Sequence, residues 1–480
     1  MPLHERAFWL MMGFVSGIYA ATANPANPWS VLPWLILGVV IAEFILWRSK
    51  VVLRFMIAIG VGAGFLYAIG YSIVFNRNPS AVFDIPRNLT GIVLEVRQSP
   101  NSQRILFQTK ASPSERLEIL ARKSPPLRYG DEILIEGKAN PISEEKIIYA
   151  ARHKLSGTIN FPKITIQSHG GGNAIKRGLD ELQTVVKNTL GKILPTKESS
   201  FIAGLLLGDT GGFSQNFRDA IRKAGVSHIV ALSGYNITII IQSVAVALLG
   251  LVSRRGVFVL TILVALGFVI MTGADASIIR AAIMALVVGL AAHAEKIYSP
   301  RNTIALTCCV MLLANPYLLL GDLGFQLSFL SLIGIFYLAP ALRKIFYLGP
   351  NPGVWHWREN AINTIAAQAV VFPVLAASFK TVSLISILAN VIILPLIPIT
   401  MLLAVVTLAV YSLSAILGGL AGEFLSIITR AEINIIEFLS AHQGAIRVNS
   451  IGGVATVFYF TALLIIVFYG QKKTTGYERR

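Results

Sequence analysis

The stretch SHIVALSGYNITIII, residues 227–241, decides how this chain is read. It is apolar enough for a bilayer, yet it sets His228, Ser233, Gly234 and Asn236 close together. Backbone polar groups at membrane depth must be satisfied by protein or by a wet cavity. The stretch therefore predicts a broken or re-entrant helix rather than a plain span. Just upstream, LLLGDTGGFSQNFRDAIRKAGV (205–226) interrupts another apolar run at Gly208-Asp209 and Gly211-Gly212. Gly208 and Gly234 are the expected break points.

The surrounding composition agrees. Of 480 residues, 54% are hydrophobic and only 14% are charged, against about 25% charged in soluble domains. This excludes an ordinary soluble enzyme and predicts a polytopic α-helical membrane protein. The formal net charge of +17 is partly the excess of Lys and Arg expected in cytoplasmic loops. The remainder suits an anionic partner, either nucleic acid or membrane lipid headgroups. The two cysteines, Cys308 and Cys309, are adjacent in an apolar run, and the seven histidines show no zinc-ligand spacing. No metal and no cofactor are expected.

Four regions follow along the chain. Residues 1–75 carry apolar segments at 8–22, 30–47 and 51–75, with the basic connector Trp47–Lys50 on the cytoplasmic side. Ala21-Thr22-Ala23 leaves open that the first segment is a cleaved signal peptide. Residues 76–170 alternate apolar and polar positions in five short runs, which predicts an inserted small all-β domain, an OB-like barrel, on the extracytoplasmic side. This domain holds 14 Lys and Arg against 9 Asp and Glu. That excess is either a solvated surface or an anion-tracking groove. Residues 171–198 place Ile175, Leu179, Leu182, Val186, Leu190 and Ile193 at helical spacing, an amphipathic helix for the membrane surface. Residues 199–480 return to the membrane with segments at 226–250, 256–272, 276–294, 302–320, 324–342, 361–379, 384–411 and 451–470. The stretch 414–441, with Glu423, Arg430, Glu432 and Glu437 on one side, either spans or lies at the interface. The basic connectors fall on one side if the helices alternate, giving a cytoplasmic C-terminus.

More polar groups stand where lipid is expected. GADASIIRAAIM (273–284) places Arg280 early in a helix, NPYLLLGDLGFQLSFLSLIGI (315–335) places Asp322 and Gln326 one turn apart, and ILANVIILPLIPIT (387–400) places Asn390 beside Pro395 and Pro398. The cost of bare charge in lipid turns such groups toward a bundle interior or water. They line a hydrated path, or else Asp322 or Asp275 pairs with Arg280, and Gln326 and Asn390 bond between helices. His228, Ser233, Asn236, Arg280, Asp322, Gln326 and Asn390 are the candidate lining. Lys163, Lys176, Arg177, Arg222 and Lys223 are the candidate phosphate contacts.

HIVALSGYNITI, GLLLGD, ADASIIRAAIM, the Asp322–Gln326 block and ILANVIILPL resemble, in order and spacing, the core motifs of the ComEC family of competence DNA-uptake channels. The likeness covers roughly residues 170–470. It implies an inner-membrane channel, not an enzyme, passing single-stranded DNA into the cytoplasm during natural transformation. The family commonly has Leu-His where this chain has Tyr235-Asn236, and its OB domain often carries a disulfide that this sequence lacks. Many members also end in a metallo-β-lactamase-like domain. No H-x-H-x-D-H motif occurs here, so strand degradation is expected from a separate nuclease, alongside a DNA receptor. No G-x-x-x-x-G-K-[ST] loop occurs either, so an ATP-driven motor or a strand-binding protein is the expected cytoplasmic partner.

Two other readings compete. An intramembrane serine protease would use Ser233, but Ala231-Leu232-Ser233-Gly234 lacks the first glycine of the rhomboid Gly-x-Ser-Gly. A small-solute transporter would show an internal repeat, and none is visible.

Overall fold

The computed structural model describes residues 2–24, 27–31, 33, 51–75, 86–98, 102–111, 115–143, 146–230, 233–248, 250–293, 299–347, 356–383, 385–442, 445–448 and 452–477. Almost all of the expected span at 30–47, the connector Trp47–Lys50, Ala231, Leu232, residues 295–298 and the last three residues lie outside these. The chain forms two compact units, Met1–Leu182 with Leu266–Phe325, and Gln183–Ala265 with Gln326–Arg480.

In the first unit, α1 (Leu3–Ala23) packs on α2 (Val51–Phe75). Gly13 and Gly17 face Gly60 and Gly64, and a Cβ on Gly17 or Gly64 would meet the partner helix's carbonyls. Small residues four apart let two apolar helices approach closely, and dispersion then holds them. A six-stranded sheet follows: β1 (Pro86–Gln98), β2 (Gln103–Thr109), β3 (Arg116–Ala121), β4 (Glu132–Lys138), β5 (Leu155–Asn160) and β6 (Lys163–Ser168). The order is β5-β3-β2-β1-β4-β6, antiparallel except for the parallel β3–β5 pair. A bridge between Asn140 and Thr158 links the end of β4 to β5. Alternation puts Val93, Ile105, Phe107, Leu117, Ile119, Ile133, Ile135 and Ile159 into one core. The five expected strands are present. The sixth and the helix α3 (Ile147–His153) go beyond the expectation. Ile148 and Ala151 of α3 pack with Tyr71 and Tyr317, and Asn315 Nδ2 donates to the Arg152 carbonyl at 2.8 Å. The helices α10 (Ala276–His293) and α11 (Pro300–Ala314) and the single turn α12 (Leu318–Gly321) also belong to this unit, and α4 (Ala174–Ile193) has residues in both units.

The second unit contains α5 (Thr196–Leu207), α6 (Gln215–Ala224), the short α7 (Ser227–Val230) and α8 (Gly234–Leu248). α9 (Arg254–Met271) and α13 (Leu323–Ile333) each have residues in both units. α13 runs through a π-helical turn at Gly334–Leu338 into α14 (Ala339–Ile345). At that turn a Cβ on Gly334 would stand 2.5 Å from the Ala366 carbonyl of α15 (Trp357–Phe379). Strand β7 (Thr381–Ser383) pairs with β8 (Ala445–Arg447). Between them lie α16 (Ser386–Ile393), α17 (Ile397–Leu413) and α18 (Ala415–Ala441), and α19 (Gly453–Tyr477) follows.

Among the described residues, five helices are long and apolar enough to cross a membrane: Val51–Val74, Arg254–Met271, Leu323–Ile345, Trp357–Phe379 and Gly453–Gly470. The α16–α17 pair, bent by 46°, makes a sixth if it is one span. Pro395 sits in its break and Pro398 in the first turn of α17, where a missing N–H is harmless. The expected spans at 226–250, 276–294 and 302–320 instead give shorter apolar helices, Gly234–Val246, Ala276–Ala291 and Pro300–Ala314. In the first of these, the α7–α8 break consumes the length. Glu423, Arg430 and Glu437, seven residues apart, share one side of α18 as expected, and Glu432 does not. Glu432 is fully buried and accepts from Thr400 Oγ1 at 2.7 Å, while Arg430 pairs with Glu198 at 3.1 Å and Glu437 with Lys197 at 2.6 Å.

Candidate functional site

The interrupted segment 196–248 is built from caps. α5 ends at Gly208, which takes a left-handed φ of +73° and returns its N–H to Gly204 O at 3.0 Å. Glycine adopts this conformation without a Cβ clash. Asp209 then ion-pairs with Lys187 and accepts from Gly211 N–H at 2.7 Å. Ser214 caps α6, accepting from Phe217 N–H at 3.3 Å. Gly225 closes α6, also at φ +73°. Its absent side chain is doubly required, because a Cβ would collide with Ser386 and press on Ser383 of the α16 approach.

The apolar faces of these short helices form the core beneath. Phe201, Leu205, Phe217, Ala224, Val226, Ile229, Val230 and Ile237 are all buried. At the break itself, Ser233 Oγ donates to Asn236 Oδ1 at 2.9 Å and accepts from Asn236 N–H at 3.3 Å. The Asn236 amide donates in turn to Leu205 O at 3.1 Å and Ile229 O at 3.4 Å. Asn236 is fully buried. It therefore joins the end of α5, the turn α7 and the start of α8, serving carbonyls that two helix ends leave open. The Ser233 oxygen is used in the same cap, which leaves it a poor nucleophile and disfavours the protease reading. His228 lies exposed on α7, and Gly234 is the first residue of α8.

The remaining candidates divide between the two units. In the first, Asp322 is buried and caps α13, accepting from Phe325 N–H at 2.8 Å, and it ion-pairs with Arg152 of α3. Asp275, before α10, lies 3.6 Å from Arg97 of β1. The carboxylates expected to neutralise Arg280 thus serve arginines of the β-domain. Arg280 is half-buried on α10, with Nη1 3.5 Å from Met284 Sδ. In the second unit, Gln326 is half-buried on α13 and Asn390 is buried on α16, its Oδ1 lacking a partner among the described residues.

The expected phosphate contacts are largely occupied. Lys163 pairs with Glu136 at 3.3 Å. Lys176 donates to Leu94 O at 2.9 Å and lies 4.2 Å from the centre of the Tyr129 ring. Arg177 bonds to Gly170 O, and Arg222 pairs with Asp219 at 3.0 Å. Lys223 is exposed, and its carbonyl accepts from Ser383 Oγ at 2.6 Å.

One charged cluster was not foreseen. A shallow cleft on the β-domain is lined by Glu95, Arg97, Arg104, Glu118, Tyr149 and His153, among others. Tyr149 OH donates to Glu118 at 2.7 Å, and the His153 ring lies 4.6 Å from the Tyr149 ring. Burial, helped by the Arg152 and Arg97 charges, holds the His153 imidazole down to about 4. Burial likewise pushes the Asp275 carboxyl up, against the pull of Arg97. Each residue type is unremarkable locally, and only the tertiary approach of α3 and the 273–275 loop assembles them.

The model of the family described as competence protein matches residues 205–473, more than half of the chain and all of the α6–α18 region. The chain is similar to ComE operon protein 3 of Bacillus subtilis (strain 168), 24% identical over 326 residues. That alignment covers 65% of this chain and 40% of the relative, so the chain spans about two fifths of the relative's length. No solved structure matches. The capped break, the bent proline pair and four of the five long apolar helices lie within the matched region, and the chain belongs to the competence protein family.

Proposed function

We propose that this chain forms the inner-membrane path through which single-stranded DNA passes into the cytoplasm during natural transformation. The observation that carries this reading is the family match over 205–473, which takes in both interrupted helical segments and four of the five apolar helices. Interrupted helices at membrane depth are what a hydrated path requires, because their freed backbone groups need protein or water. Asn236 and Ser233 hold the α7–α8 break. His228, Arg280, Gln326 and Asn390 are the groups proposed to face the path, with Asp322 fixing the start of α13. The β-domain, with its parallel β3–β5 pair and β4–β5 bridge, is proposed as an OB-like barrel outside the cytoplasm, with the C-terminus inside.

Moving a polyanion against an inside-negative potential costs about 2.3 kcal/mol per charge per 100 mV. A passive pore does not overcome this, so a cytoplasmic motor or strand-binding protein is the proposed partner, with a DNA receptor on the outer side. Replacing Arg280 by Gln is expected to lower uptake of labelled DNA several-fold with the protein level unchanged. Wild-type uptake in that variant would remove Arg280 from the path.

A further inference from the structure

The sequence places phosphate contacts at Lys163, Lys176 and Arg177, but all three are engaged by other groups of the protein. The free cations of the β-domain lie elsewhere. The β3–β4 connection, residues 122–128, reads RKSPPLR. Its Arg122, Lys123 and Arg128 side chains are exposed, with no ion pair or hydrogen bond among the described residues. The loop is nevertheless fixed from beneath. Gln103 of β2 is 1% exposed, and its amide donates to Arg122 O at 2.7 Å and Pro125 O at 2.8 Å. Leu127 is buried in the sheet core at the loop's other end. The loop backbone is ordered beforehand, so a ligand meeting its three cations has only their side chains to fix.

A second observation stands beside them. Phe161, in the two-residue turn between β5 and β6, is 58% exposed and holds a left-handed φ of +49°. That conformation is costly for a residue with a Cβ, and such strain concentrates at working sites. The turn is pinned by Phe161 N–H donating at 2.7 Å to Leu120 O, two residues before Arg122. An aromatic face is thus presented next to the base of the cationic loop. Membrane binding would call for a broader apolar face, whereas Phe161 is flanked by the exposed Asn160 and Lys163. One ring beside backbone-tracking cations is the combination that takes a single strand, the ring stacking a base and the cations meeting phosphates.

We infer that Phe161, Arg122, Lys123 and Arg128 form a single-strand binding subsite on the β-domain, in which Phe161 stacks a base and the three cations contact successive phosphates. The inference rests on the DNA-uptake reading and names the residues that first hold the strand. Two variants separate the two roles, using the full chain in detergent and a labelled oligothymidylate titrated across salt concentrations. Single-strand contacts contribute about 0.7 each to the log–log salt slope, so replacing Arg122, Lys123 and Arg128 together by Gln is expected to reduce that slope by about 2. Phe161→Ala is expected to weaken binding roughly 5- to 150-fold, the range for one stacked base, with the slope unchanged. All four side chains are exposed, so elution volume and melting temperature are expected to stay at wild-type values, which checks that both variants are folded. Wild-type affinity in Phe161→Ala, or a wild-type slope in the triple variant, overturns the subsite. That result leaves the uptake reading standing if cells lacking the gene still fail to internalise DNA. If those cells internalise DNA normally, the uptake reading falls, whatever the oligonucleotide does.

Discussion

Asn236 shows how one polar side chain makes a helix break tolerable. Its amide serves Leu205 O and Ile229 O while its oxygen accepts from Ser233. Asn236→Asp keeps the shape but removes both donors. Leaving buried acceptors unserved costs about 1–3 kcal/mol, and the introduced carboxylate adds to that. A lower melting temperature in detergent is the expected result; no change would mean that Asn236 does not hold the break. Gly225→Ala is expected to be more damaging still, because the new Cβ meets Ser386 at a left-handed φ. His153 offers a pH test outside the membrane helices. It faces Arg97, Arg152, Glu95, Glu118 and Tyr149, and its folded pKa of about 4 lies below the ordinary 6.5. Between those values the unfolded chain binds the extra proton, so stability is expected to fall as pH drops from 6.5 toward 4. The difference in melting temperature between wild type and His153→Phe, followed over pH, is expected to show that slope and to flatten below about 4. A difference independent of pH would contradict it.

At the scale of elements, α3 ties the β-domain to the loop before α13, and Arg97 of β1 meets Asp275 before α10. The Arg152–Asp322 pair has side-chain exposures of only 18% and 6%. Removing one partner of a buried pair costs about 3–5 kcal/mol, because the other charge is left uncompensated. Asp322→Asn retains the α13 cap and deletes the charge, so it isolates the ion pair. Its destabilisation is expected to shrink when Arg152→Met is added, and strict additivity in that double-mutant cycle would deny the coupling. These contacts mark the limit of what the sequence discloses. Period-two alternation announces β1 to β5, because each strand buries one face, and the prolines announce the α16–α17 bend. β6, as long as β5, follows it across the two-residue Phe161-Pro162 turn and goes beyond the five expected runs. Local pattern carries no information on which carboxylate meets which arginine. Asp275 and Asp322 accordingly read as partners for Arg280, yet they belong to Arg97 and Arg152. Asn236 was legible as a polar group at a break, but its carbonyl partners required the fold.

For the whole molecule, the apolar helices, the two interrupted segments and the family match describe a membrane protein of competence. The proposed passage of single-stranded DNA accounts for polar side chains within several apolar helices and for the net charge of +17. The most direct measurement is nuclease-resistant labelled DNA inside cells that carry the gene, lack it, or have it restored. The account predicts that deletion abolishes the internal label while DNA still collects at the surface, and that the wild-type chain restores it. Internal label at the wild-type level in the deleted strain would contradict the central claim.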